Sequence, residues 1–114
     1  MGGKERKEEE MNIFGRYGGL TLIRQAGETI VMCWEGGKQV TLSTTDVTDK
    51  SATITIGPDV FPLAIGESIE VPGPNDDRPA NCIITLDDIG GERAALRIVA
   101  PRRVRIIRGE RFQQ

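Results

Sequence analysis

Ala26-Gly27-Glu28-Thr29-Ile30-Val31 and Ile65-Gly66-Glu67-Ser68-Ile69-Glu70 carry one pattern twice: Gly-Glu, a hydroxyl residue, then isoleucine. A second pair of stretches follows them in the same order. Asp46-Val47 with Ala52-Thr53-Ile54-Thr55-Ile56 is answered by Asp88-Ile89 with Ala94-Ala95-Leu96-Arg97-Ile98, at a constant offset of 42. Gly57-Pro58-Asp59-Val60 then parallels Ala100-Pro101-Arg102-Arg103-Val104 after small changes of length. Strand-and-turn composition produces isolated matches by chance, but an ordered series points to duplication of one unit within the chain.

Outward from these stretches the chain consists of short alternating or β-branched runs broken by Gly, Pro, Asn and Asp, which predicts strands joined by turns. Candidate strands cover 20–24, 29–34, 39–47, 51–56, 60–64, 68–71, 81–89, 94–99 and 103–108. Turns fall at Ala26-Gly27, Glu35-Gly36-Gly37, Thr48-Asp49-Lys50 and Gly90-Gly91-Glu92, and Pro72 to Pro79 forms one long breaker cluster expected in a surface loop. No segment has the pattern of a long helix. The expected fold is therefore all-β, with two packed, mostly antiparallel sheets of short strands. Residues 1–18 are expected to be a flexible charged tail, because the Lys/Glu-rich start lacks the apolar periodicity needed to offset the entropy of ordering. Residues 19–114 then hold a first unit of about 19–64 and a second of about 60–112, with Val60 to Ala64 serving both as a merged strand. Five short strands bury little alone, whereas pairing with a second copy closes sheet edges and forms one core between two sheets. The chain is expected to be a monomer acting as a pseudo-dimer.

Composition removes several classes of function. The 114 residues contain no histidine and two cysteines, Cys33 and Cys82, without a CxxC pair, so neither a zinc site nor a cofactor is expected. Without histidine there is no Ser-His or Cys-His pair, and the adjacent carboxylates Asp76-Asp77 and Asp87-Asp88 would point to opposite faces if extended. An enzyme acting on a small-molecule substrate is not expected. No apolar run approaches the roughly 20 residues that span a bilayer, and the N-terminal sequence lacks a secretory apolar segment, which predicts no membrane association and a cytoplasmic location. Net charge is −2, but it is unevenly placed: Arg93 to Arg111 holds seven arginines and one acid, Glu110. A basic surface on an acidic chain suits a polyanion.

Leu20-Thr-Leu-Ile-Arg24-Gln-Ala-Gly27-Glu28-Thr29-Ile30 resembles the opening strand and turn of the carbon storage regulator (CsrA/RsmA) family. Ala94 to Arg108 resembles the closing two strands of that family around an Ala-Pro turn. The resemblance covers nearly everything from Leu20 to Phe112, as two family units fused head to tail. It implies a post-transcriptional regulator that binds GGA-containing single-stranded or hairpin-loop RNA and modulates translation, often as a repressor. The family's RNA site lies where the first strand of one unit runs beside the last strand of the other. Carried over by position, the contributors are Leu22 and Arg24, Ala100 and Pro101 of the turn, and Arg108. Arginine pairs with phosphate or with the O6/N7 edge of guanine, and backbone at an Ala-Pro turn can approach an unstacked base. Arg97, Arg102, Arg103 and Arg105 are expected to add a general electrostatic surface.

The second, pseudo-symmetric site would use Val60 to Ala64 and the turn at Gly57-Pro58. Counting back from Gly66, Leu63 stands where Arg24 stands in the first unit, no counterpart of Arg108 is evident, and Pro62 removes a strand donor. One functional RNA site is therefore expected instead of two. The chain also departs from the family at Gln25, Gly109 and the short C-terminal end, where the family's helix docks a protein antagonist. The alternative expectation is a protein-interaction module of the same ancestry that no longer binds RNA.

Overall fold

The computed structural model of the chain describes residues 20–74, 81–101 and 103–112. The expected N-terminal tail, most of the Pro72 to Pro79 loop and Arg102 lie outside them. Among the described residues nine strands follow in order: β1 (Leu20–Gln25), β2 (Thr29–Cys33), β3 (Gln39–Val47), β4 (Ser51–Ile56), β5 (Asp59–Ala64), β6 (Ser68–Val71), β7 (Cys82–Gly90), β8 (Arg93–Val99) and β9 (Arg105–Arg108). A single helical turn, α1 (Gly109–Phe112), closes the described chain. The protein is all-β, with a four-stranded sheet ordered β1-β8-β7-β6 and a five-stranded sheet ordered β5-β4-β3-β2-β9. Every neighbouring pair is antiparallel.

Alternation along the strands builds the core. In β1, Leu20 and Leu22 are buried while Thr21 and Ile23 are exposed; β8 alternates in the same way through Ala94, Leu96 and Ile98. Ile84, Leu86, Leu96 and Ile98 of one sheet join Ile30, Met32, Leu42 and Ile54 of the other in one buried cluster. Full burial of each such side chain contributes about 1.5–3 kcal/mol, which is what holds two small sheets face to face.

The sequence repeat is a structural repeat down to individual hydrogen bonds. At Gln25-Ala26-Gly27-Glu28 the Glu28 amide donates to the Gln25 carbonyl at 3.0 Å, and at Ala64-Ile65-Gly66-Glu67 the Glu67 amide donates to the Ala64 carbonyl at 3.0 Å. In both turns the carboxylate of the glutamate accepts from the first residue's amide at 2.8 Å. Gly27 and Gly66 have φ of 93° and 95°, a left-handed backbone that a side chain would oppose. The repeated pattern Gly-Glu is thus the chemistry of one turn: glycine for the backbone angle, glutamate to satisfy a free amide. Each glycine amide then reaches the next long strand, Gly27 to the Thr44 carbonyl at 2.6 Å and Gly66 to the Leu86 carbonyl at 2.7 Å. The two nine-residue strands even share a bulge, between Thr44 and Asp46 in β3 and between Leu86 and Asp88 in β7, at the offset of 42.

The strands exchange places between repeats. β1 leaves the first repeat to pair with β8, and β5 pairs with β4, in equivalent registers: Arg24 opposite Ala94, Leu63 opposite Ala52. β9 pairs with β2, Arg108 opposite Ile30. The structure differs from the expected merged strand at Val60 to Ala64. That segment occupies the first-strand place alone, because its partner is β4, and the edge of β6 away from β7 has no strand partner among the described residues. Pro62 is tolerated because β5 is itself an edge strand.

Candidate nucleic-acid interface

β1 and β9 are edge strands of different sheets at the same side of the sandwich. The inward row of β1 runs Leu20, Leu22, Arg24, and that of β9 continues from Val104 through Ile106 to Arg108, so each arginine ends an apolar row. The fold thus brings together two arginines from opposite ends of the chain. Their surroundings differ sharply.

Arg24 is 4 % exposed, and its guanidinium is fully engaged. Nε donates to the Ile23 carbonyl at 2.7 Å and Nη1 to the Thr29 carbonyl at 3.2 Å. Nη1 and Nη2 together clamp the Glu110 carboxylate at 2.9 and 3.2 Å. A buried cation is tolerable only with such partners. The Arg24 hydrogen bonds, helped by a backbone donor at Glu110 and by the charges of Arg24 and Arg108, hold the Glu110 carboxyl down to about 2. Glu110 reaches Arg24 because it lies in the first turn of α1, and α1 lies close because Gly109 has no side chain: a Cβ there would overlap the Thr29 hydroxyl.

Arg108 is only half-buried, and its Nε is enclosed without a hydrogen-bond partner. An arginine Nε–H in that state is an unmet donor. It borders an open groove of about 350 Å³ lined by Ile23, Arg24, Gln25, Glu28, Arg93, Arg108 and Glu110. Three arginines face two glutamates there, and both glutamates pair with Arg24, Glu110 at 2.9 Å and Glu28 at 3.8 Å. Exposed Arg93 and Gln25 are directly opposed across β1 and β8, and exposed Ile23 supplies an apolar platform beside them.

Other residues singled out in the sequence fall elsewhere. Leu22 and Ala100 are buried in the core, so their side chains form the floor and not a contact surface. Pro101 is half-buried in a turn closed by the Val104 amide donating to its carbonyl at 3.0 Å, and neither it nor Ala100 lines the groove. The arginines of the basic run do not form one surface. Arg97 pairs with Asp87 at 2.9 Å on the outer face of the four-stranded sheet, Arg103 pairs with Glu35 at 3.2 Å, and Arg105 is exposed on the outer face of β9. Strand alternation separates them, since neighbours along a strand leave on opposite faces. Of the groove residues that the sequence does not mark as a site, the charged ones are Glu28, Arg93 and Glu110. Glu110 had one signal, as the lone acid in a basic run; Arg93 had only its membership of that run, because its place depends on which strand pairs with β1.

At the pseudo-equivalent corner Leu63, 4 % exposed, fills the place of Arg24. At the junction of the repeats the β3–β4 and β7–β8 turns meet around a second concavity, but Asp49 and Glu92 make it acidic and unsuited to a polyanion. Among the described residues no group of three or more Cys, Asp or Glu could hold a metal ion, and no helix is long and apolar enough to cross a membrane.

No family model, no curated protein and no solved structure matches this chain.

Proposed function

We propose that this protein is an RNA-binding regulator of the carbon storage regulator type, engaging GGA-containing single-stranded or hairpin-loop RNA through one groove between β1 and β9. The observation that carries the reading is Arg108, whose enclosed and unpartnered Nε borders an open groove that also holds Arg93. Such a guanidinium is suited to the O6/N7 edge of an unstacked guanine or to a phosphate, and Arg93 at the rim to the phosphate backbone. Ile23 offers an apolar surface against which a base can lie. Arg24 acts here as a positioning residue: it fixes Glu110 and α1, which form one wall of the groove. Regulation follows from occupancy of a leader, without catalysis or cofactor.

The competing reading is a protein-interaction module without RNA affinity, favoured by the commitment of Arg24 to Glu110. Fluorescence-anisotropy titration with a hairpin displaying GGA and a loop-scrambled control, at two salt concentrations, separates them. One-to-one, GGA-dependent binding that weakens with salt and is weakened further in Arg108→Ala supports the RNA reading. Equal weak binding to both hairpins overturns it in favour of a protein partner.

A further inference from the structure

A carboxylate works against a polyanion, yet Glu110 stands in the groove, 53 % exposed, with Arg93 and Arg108. It repels each phosphate that enters, so its presence there needs a reason. The fold does not require it. At the pseudo-equivalent corner the aliphatic Leu63 holds the register of Arg24 and is equally buried, without a charge that would need a partner. Glu28 is a different case. It recurs as Glu67, and each of the two accepts from the amide three residues earlier at 2.8 Å, so that carboxylate belongs to the turn.

We infer that Glu110 is a specificity-determining residue, whose carboxylate reads guanine by accepting from N1–H and N2–H while Arg108 donates to O6 and N7 of the same base. This deepens the RNA reading of the groove and rests on it. Guanine carries two acceptors on one edge and two donors on the next, so a guanidinium and a carboxylate on adjacent sides fit it. Those two groups come here from one short stretch, Arg108 at the end of β9 and Glu110 in α1. They are near in space as well, since the charge of Arg108 helps to hold the Glu110 carboxyl down. The other bases fit less well. Adenine and cytosine turn a ring-nitrogen lone pair toward the carboxylate, and uracil offers it a single N–H.

Arg24 gives this acceptor its position. Its Nη1 and Nη2 take one bond each to Oε1 and Oε2 of Glu110, at 2.9 and 3.2 Å. An ionised carboxylate has about four lone-pair sites, so about two remain on a side chain that is half-exposed. The fork is itself fixed from behind by the carbonyls of Ile23 and Thr29, which leaves the carboxylate little freedom to turn away. Kept ionised by Arg24, Glu110 has no proton to donate and cannot adapt to an acceptor edge. The same pair that closes the corner thus preorganises a base-reading group, and binding need not order it first.

The test replaces single atoms of the RNA. Inosine lacks the N2 amino group of guanosine and keeps O6, N7 and N1–H. Hairpins carrying GGA, or GGA with the first or the second guanosine changed to inosine, are titrated by fluorescence anisotropy against the full chain and its Glu110→Gln variant. One inosine substitution is expected to weaken binding to the unaltered protein about tenfold or more, as for loss of a hydrogen bond to a charged group. In Glu110→Gln the guanosine and inosine hairpins should bind equally well, a change that a merely structural role of Glu110 would not produce. Equal binding of all three hairpins to the unaltered protein overturns the inference and leaves the RNA reading standing, as does an inosine penalty that persists in Glu110→Gln. Absence of GGA-dependent binding by the unaltered protein overturns the RNA reading and this inference with it. Should Glu110→Gln not fold or bind no RNA, the complex of the unaltered protein decides by NMR: a guanine imino proton protected from exchange and close to the Glu110 side chain supports the contact, and free exchange of both loop guanine iminos overturns it.

Discussion

The corner where β1 meets β9 and the corner where β5 approaches β6 are built from the same repeat and have opposite characters. The first carries Arg24, Arg108 and Glu110 around an open groove; the second carries Leu63 in the register of Arg24. The turns that lead out of β1 and β5 match in glycine angle, in hydrogen bonds and in the capping glutamate. Backbone architecture is therefore shared by the two copies while the side chains are polar at one corner and apolar at the other. A turn must satisfy the same amides in both copies, whereas a corner can be closed either by a partnered cation or by an aliphatic group.

The strongest challenge to this contrast is Leu63→Arg. It places a cation where no equivalent of Glu110 is found among the described residues, and it should cost about 3–5 kcal/mol in chemical denaturation as an uncompensated buried charge. Unchanged stability with a second equivalent of RNA bound would show that the corners are interchangeable after all. Arg108→Ala removes the unmet donor and should weaken GGA-hairpin binding about tenfold to a hundredfold in an anisotropy titration, with little change in melting temperature, in line with roughly 1.5–3 kcal/mol for hydrogen bonds to a charged group. Gly109→Ala forces the new methyl into Thr29 and should destabilise the fold by about 1–3 kcal/mol, because backbone as well as side chain must give way.

Arg24→Leu converts the first corner into the second. Glu110 is half-exposed and can return to water, so stability should change by no more than about 1–2 kcal/mol while the groove loses its wall. A thermal melt and a binding isotherm on the same sample separate these effects. The smallest expected effect is that of acid. The Glu110 carboxyl is depressed from 4.5 to about 2, so its contribution to stability is fully present above pH 4.5 and disappears as pH falls through 2. The stability difference between wild type and Glu110→Gln should accordingly shrink across that window in urea titrations at a series of pH values.

Much of the fold was legible because strand alternation and turn chemistry are local. The strand at 39–47 and that at 51–56 coincide with β3 and β4, and Ala26-Gly27 is a turn as expected, while of Gly90-Gly91-Glu92 the turn holds Gly91-Glu92 and Gly90 ends β7. Arg24 and Arg108 were singled out together, and they do share a corner. Their separate roles were hidden, because a sequence shows that an arginine ends an apolar row but not that Glu110, on a helical turn after another strand, clamps it. The expected merger of two strands in Val60 to Ala64 failed for a related reason: composition identifies a strand but not its neighbour. The basic run misled as well, since Arg97, Arg103 and Arg105 depart in different directions.

By itself the sequence determined the class of fold, the internal repeat, the turns and the apolar rows, all of which depend on residues close together in the chain or on side-chain alternation with a period of two. Only the tertiary structure decided which strands become neighbours, and hence that Arg24 is spent on Glu110, that Arg108 keeps an unmet donor, and that β6 presents an open edge among the described residues. These outcomes depend on hydrogen bonds and charges joining distant segments, and their energies exist only once the two sheets have closed on one core.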